Sequence, residues 1–75
     1  MSLKKDLANA INYIEKEIQE LERKRIRSMA AIMESIISKS EPQEKDVHYF
    51  RQYSAEIDQK REELIDITEQ LKRLV

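Results

Sequence analysis

The sequence contains no cysteine, no glycine and a single proline, Pro42. Without cysteine the chain has neither a disulfide nor a thiolate metal ligand, and without glycine it lacks a glycine-rich loop for binding phosphate. The longest run of apolar residues, Met29 to Met33, is too short for a membrane span or a signal peptide. We therefore expect a soluble, cytoplasmic protein that does not contact a membrane.

Charged residues make up 39% of the chain and hydrophobic residues 40%, a mixture typical of long surface helices and coiled coils. The net charge of −1 gives no overall attraction to nucleic acid. The basic run from Arg23 to Arg27 has no aromatic base reader beside it, and we interpret it as a solvated helix face. Length and composition predict one small all-α domain over residues 1–75, without nucleic acid as a partner.

Apolar residues at helical spacing begin at Leu3 and predict a first helix over residues 3–38, with Ser2 as its N-cap. They form a narrow row on one helix face, which consists of Leu7, Ile11, Ile14, Ile18 and Leu21. A narrow apolar row indicates one packing neighbour.

The chain is expected to turn back around Pro42. Ser40 and Gln43 have the spacing of a capping box, which predicts a turn at 38–41 and a second helix over 41–74. Pro42 would then lie in the first turn of that helix, where a missing N–H is harmless. A longer loop that ends with Asp46 as the cap is the alternative.

The second helix carries a heptad repeat typical of a coiled coil. Its apolar positions are Phe50, Tyr53, Ile57, Leu64, Ile67 and Leu71, and Lys60 is the polar exception. Antiparallel pairing of residues whose numbers add to about 78 places Leu64 by Ile14 and Phe50 by Met29. The apolar rows of the two helices together, which we call the seam, predict a two-helix antiparallel coiled-coil hairpin.

The apolar face of the first helix widens near the turn, which indicates more than one neighbour. We interpret the wider face either as a thicker core or as a binding face for a helical protein partner or a second copy of the chain. The second interpretation predicts a homodimer, as a four-helix bundle, or a hetero-oligomer. The predicted binding face comprises Ile26, Met29, Ala30, Met33, Ile36, Ile37, Val47 and Tyr49.

No pattern in the sequence indicates catalysis. His48 is the only histidine, and with Glu44 it gives two metal ligands where zinc takes three or four. The carboxylates of the second helix, which are Glu62, Glu63, Asp66 and Glu69, would need a cleft to act as acids and bases, and a lone hairpin has none. We expect no catalytic residue, no metal and no cofactor.

The segment Phe50-Arg51-Gln52-Tyr53-Ser54, followed by Ile57, resembles the second helix of the small hairpin co-chaperones of type III secretion needle subunits. In that family an aromatic residue stands four positions before a serine. The resemblance implies a non-enzymatic protein that binds a second chaperone, with which it masks the needle subunit before export.

A second resemblance concerns Ser54-Ala55-Glu56-Ile57-Asp58, which is similar to the Ser-Gln-Glu-Leu-Asp signature of the Spo0E-like phosphatases. It implies that Glu56 and Asp58 face the aspartyl phosphate of a response regulator. Lys60 and Arg61 depart from the apolar pair that this family usually carries after the aspartate. A third interpretation is a structural coiled-coil subunit of a larger assembly.

Overall fold

A computed structural model describes residues 2–75 and shows two helices, α1 (Leu3–Ile37) and α2 (Glu44–Leu74). They pack side by side in a rod of 56 × 15 × 14 Å. The predicted all-α helical hairpin is therefore confirmed. Ser2 caps α1 as predicted, because its Oγ accepts a hydrogen bond from the backbone N–H of Lys5 at 3.5 Å.

The C-terminus of α1 closes with a Schellman motif. The N–H of Lys39 donates to the carbonyl of Ile36 at 3.0 Å, and the N–H of Ser40 donates to the carbonyl of Ser35 at 2.9 Å. The motif needs a left-handed residue, and Lys39 takes this role with φ = 58°. A side chain in that conformation costs about 1–2 kcal/mol, which glycine would avoid.

The second helix begins at Glu44, three residues later than predicted, and its N-cap is Gln43. The predicted capping box is wrong because Ser40 is already used at the end of α1, where its Oγ donates to the carbonyl of Ser35 at 3.1 Å. Pro42 therefore precedes the N-cap. The alternative cap, Asp46, is also wrong, since Asp46 lies in the first turn of α2.

The core is a single line of contact between the helices. Ile14, Ile18 and Ile57 are buried and form its centre, and further seam residues pack against them: Leu21, Leu64 and Ile67. The other seam positions are half-buried, namely Leu7, Ile11, Phe50, Tyr53 and Leu71. Glu17 and Lys60 meet across the helices at 3.4 Å, in agreement with a register in which facing residue numbers add to about 78.

Near the turn the seam follows Ser28 and not Met29. Ser28 is 8% exposed, whereas Met29 is 41% exposed. The heptad of Ile14, Ile18 and Leu21 continues without a phase shift, and seven residues after Leu21 it reaches Ser28. The seam position expected for Met29 is therefore occupied by Ser28, and Met29 lies beside the seam.

We expect Lys39→Gly to stabilise the protein by about 0.5–1 kcal/mol, since glycine relieves the left-handed strain but adds disorder to the unfolded chain. Urea denaturation at one fixed protein concentration measures the change. Lys39→Ala, which also removes the charge but keeps a Cβ, is the control and should not stabilise. Equal stability of the two variants would contradict the assignment of strain to Lys39.

We expect Ile57→Ala to lower the free energy of unfolding by about 2–5 kcal/mol, because Ile57 is fully buried and the small core cannot close around the cavity. The graded variant Ile57→Val should lose about 0.5–1.5 kcal/mol. Both losses are read from the urea midpoint. If Ile57→Ala lowered the free energy of unfolding no more than an alanine substitution at an exposed position, the seam would not be what stabilises the fold.

Candidate protein-binding surface

Two ion pairs between the helices identify the two sides of the hairpin. Lys60 Nζ lies 3.4 Å from Glu17 Oε1, and Arg61 Nη2 lies 3.5 Å from Glu22 Oε1. Glu17 and Glu22 are five residues apart on α1 and therefore point to opposite sides of the seam. We call these the Lys60 side and the Arg61 side.

An exposed apolar surface lies on the Arg61 side at the turn end of α1. Ile26, Met29 and Met33 follow Glu22 by four, seven and eleven residues, so all three share its side of the helix. The apolar stripe, as we call this surface, consists of Ile26, Met29, Ala30, Met33, Ile36 and Ile37. Its large side chains are 41–77% exposed. Within one hairpin the stripe is thus largely uncovered, and none of its side chains belongs to the buried core.

The two α2 residues of the predicted binding face lie on different sides. Val47 precedes Arg61 by fourteen residues, close to four helical turns, and belongs to the Arg61 side. Tyr49 precedes Lys60 by eleven residues and belongs to the Lys60 side, where its ring stacks on Tyr53 with a centroid distance of 6.0 Å. The hairpin therefore brings Val47, but not Tyr49, to the side of the stripe.

Lys60 is the polar residue of the seam, and its surroundings keep it charged. Its ammonium group donates a hydrogen bond to Glu17, and this bond raises the pKa of Lys60 above its ordinary value. Partial burial opposes the effect, while the charges of Glu17 and Glu63 reinforce it. A lysine held in this way pins the register of the helices and is a poor proton donor at neutral pH.

The candidate metal ligands do not converge. Across residues 2–75 no group of three His, Cys, Asp or Glu side chains is placed to hold a metal ion. His48 is exposed next to Tyr49, with a ring distance of 6.0 Å. The acidic residues of α2 are exposed, and Glu63 contacts Lys60 at 3.7 Å. These groups have the environment of a solvated helix surface.

The residues that resemble the phosphatase signature are spread around α2. Glu56 accepts a hydrogen bond from Gln52 at 3.3 Å, and Asp58 lies 3.9 Å from Arg61. Residues two positions apart on a helix point in nearly opposite directions. Glu56 therefore lies toward the Lys60 side of α2 and Asp58 toward the Arg61 side.

Comparisons of the chain with family models, curated proteins and solved structures find no match. Neither helix within residues 2–75 is long and apolar enough to cross a membrane. Five of the eleven exposed large hydrophobic side chains of this part of the chain belong to the apolar stripe.

The raised pKa of Lys60 predicts an alkaline loss of stability. The stabilising effect of the charged lysine is present below its unfolded pKa and disappears as the pH rises through the higher folded value. The Tm of the unmodified protein should therefore fall more between about pH 9 and pH 12 than that of Lys60→Met. Lys60→Arg, which keeps its charge in this range, should also resist the fall. Parallel Tm curves for all three proteins would contradict this role for Lys60.

Proposed function

We propose that this hairpin is a non-enzymatic protein–protein interaction module of the cytoplasm that binds a helix on its apolar stripe. The exposure of the stripe carries the proposal. Five large apolar side chains are held in line on a rigid helix, and four of them are more than half exposed. A surface of this kind, rimmed by polar residues, is typical of an interaction site.

The small core supports this role. Within residues 2–75 only three hydrophobic side chains are buried. Covering five half-exposed side chains would contribute roughly 1 kcal/mol each, which is a gross gain of about 5 kcal/mol before the costs of association. That gain is comparable with the net stability of a small domain. Docking of a partner on the stripe would therefore also stabilise the hairpin.

The stripe fits an amphipathic helix. Its residues recur every three or four positions along about 17 Å of α1, the spacing that meets the anchors of a partner helix. Met29 and Met33 lie at its centre, and methionine adapts its shape to different apolar surfaces. The neighbouring basic residues Arg23 and Arg27 favour a partner with an acidic edge.

We propose a small helical chaperone or adaptor as the specific form of this module. The support comes from the hairpin, from the exposed stripe and from the resemblance of the segment Phe50–Ser54 to needle-subunit co-chaperones. In that role the stripe would bind an apolar helix that is otherwise prone to aggregate. The same contact would serve if the hairpin were a subunit of a larger helical assembly.

We expect the double variant Met33→Glu, Ile37→Glu to lose association and partner binding while it keeps its helical content. Both side chains are exposed within the hairpin, so their charges oppose docking without entering the seam. Sedimentation over a concentration series measures self-association, and quantitative capture from cell extract measures partner binding. Circular dichroism checks the fold.

The control places the same two charges on the Lys60 side with Tyr13→Glu, Tyr49→Glu, at side chains that are also exposed. This variant should associate and capture partners like the unmodified protein. The proposal fails if the stripe variant behaves in both assays as the control does.

A further inference from the structure

Charge is distributed unevenly along the rod. The turn half, residues 23–55, has seven basic and four acidic side chains, a net charge of +3. The open half, residues 1–22 and 56–75, has seven basic and eleven acidic side chains, a net charge of −4. Because the rod is 56 Å long, these opposite charges lie mostly beyond the screening length from one another in physiological salt.

Exposed apolar residues continue on the Arg61 side of the open half. Ile65 follows Arg61 by four residues, is 57% exposed and lies in a shallow groove with Leu64 and Thr68. The Arg61 side thus has two apolar areas, the stripe in the positive half and the Ile65 area in the negative half.

We infer that the occupant of the stripe is a second copy of this chain, packed antiparallel so that each stripe covers the Ile65 area of the other copy. This inference rests on the proposed binding role of the stripe and names its partner. The assembly is a four-helix bundle with a two-fold axis near the middle of α1. The positive half of each copy then lies along the negative half of the other.

The levels of the apolar residues agree with this arrangement. A two-fold axis near residue 20 pairs levels whose α1 numbers add to about 40. Ile26 then lies at the level of residue 14, next to that of Ile65 in the α1–α2 register. Ile26 of each copy therefore lies close to the level of the Ile65 area of the other copy.

Two other self-arrangements satisfy fewer of these observations. Parallel packing places +3 beside +3 and −4 beside −4. A staggered dimer, in which stripe packs on stripe, covers the apolar turn halves but brings like charges together. It also leaves Ile65 exposed. Antiparallel overlap of the whole rods covers both apolar areas and pairs opposite charges.

Spin-label distances distinguish the three arrangements, and the absence of cysteine allows a single label site in each variant. Glu41→Cys places the label at the turn, and Gln19→Cys places it near the middle of α1; both positions are exposed. In the antiparallel dimer the two Glu41→Cys labels should lie about 60 Å apart and the two Gln19→Cys labels within about 25 Å.

Each other outcome overturns the inference. Short distances from both sites indicate parallel packing, and a short turn distance with a Gln19→Cys distance above about 30 Å indicates the staggered dimer. Neither result contradicts the binding role of the stripe. A monomer at all concentrations excludes the second copy as the occupant, and the capture assay with the stripe variant then tests the proposed function independently.

The salt dependence of the dimer's Kd gives a second test of the arrangement. Because opposite charges lie together in the antiparallel dimer, raising the salt from about 0.02 M to 0.5 M should increase its Kd several-fold. A Kd that falls over this range would indicate that like charges face each other and would overturn the arrangement. Introducing Met33→Glu and Ile37→Glu into both labelled proteins should abolish the distances between copies.

Discussion

The contact between the isoleucines of α1 and α2 is the interaction on which the rest of the hairpin depends. Ile14, Ile18 and Ile57 are buried in a line of contact that is one side chain wide. A rod of this shape has no second layer to cover its flanks, and two helices alone bury little of the surface that the unfolded chain exposes. The narrow seam explains both the simple fold and the large apolar surface that stays in contact with water.

The apolar residues of α1 lie on different faces of the helix in its two halves. In the open half the apolar residues lie on the heptad and face α2. In the turn half the heptad positions include Arg25, Ser28 and Ser35, while large apolar side chains lie on the neighbouring face. Moving Met29 and Met33 out of the seam weakens the core near the turn. This placement favours a surface that is completed by another helix.

The sequence was sufficient to predict most of the fold, because helical periodicity reports directly on the seam. It could not predict the start of α2. Ser40 is equally suited to end one helix or to begin the next, and the geometry of Lys39 decides between them. The burial of Ser28 in the seam was not predicted, because a wide apolar face does not show which of its residues continue the heptad. Counting seven residues from Leu21 would have identified Ser28. Tyr49 lies on the other side of the seam from the stripe, because proximity to Val47 in sequence says nothing about helix face.

The ion pair of Glu17 and Lys60 selects the register in which the two helices pack. Aliphatic residues in a heptad can slide by seven positions and still meet aliphatic residues. Here a slide of one heptad would bring Lys60 to the level of Ile11 or of Arg25, where it loses its carboxylate or meets a like charge. The register in turn fixes where Ile65 lies relative to the stripe. A lysine inside the seam thus determines the apolar pattern on the Arg61 side, and with it the geometry that any docking helix must match.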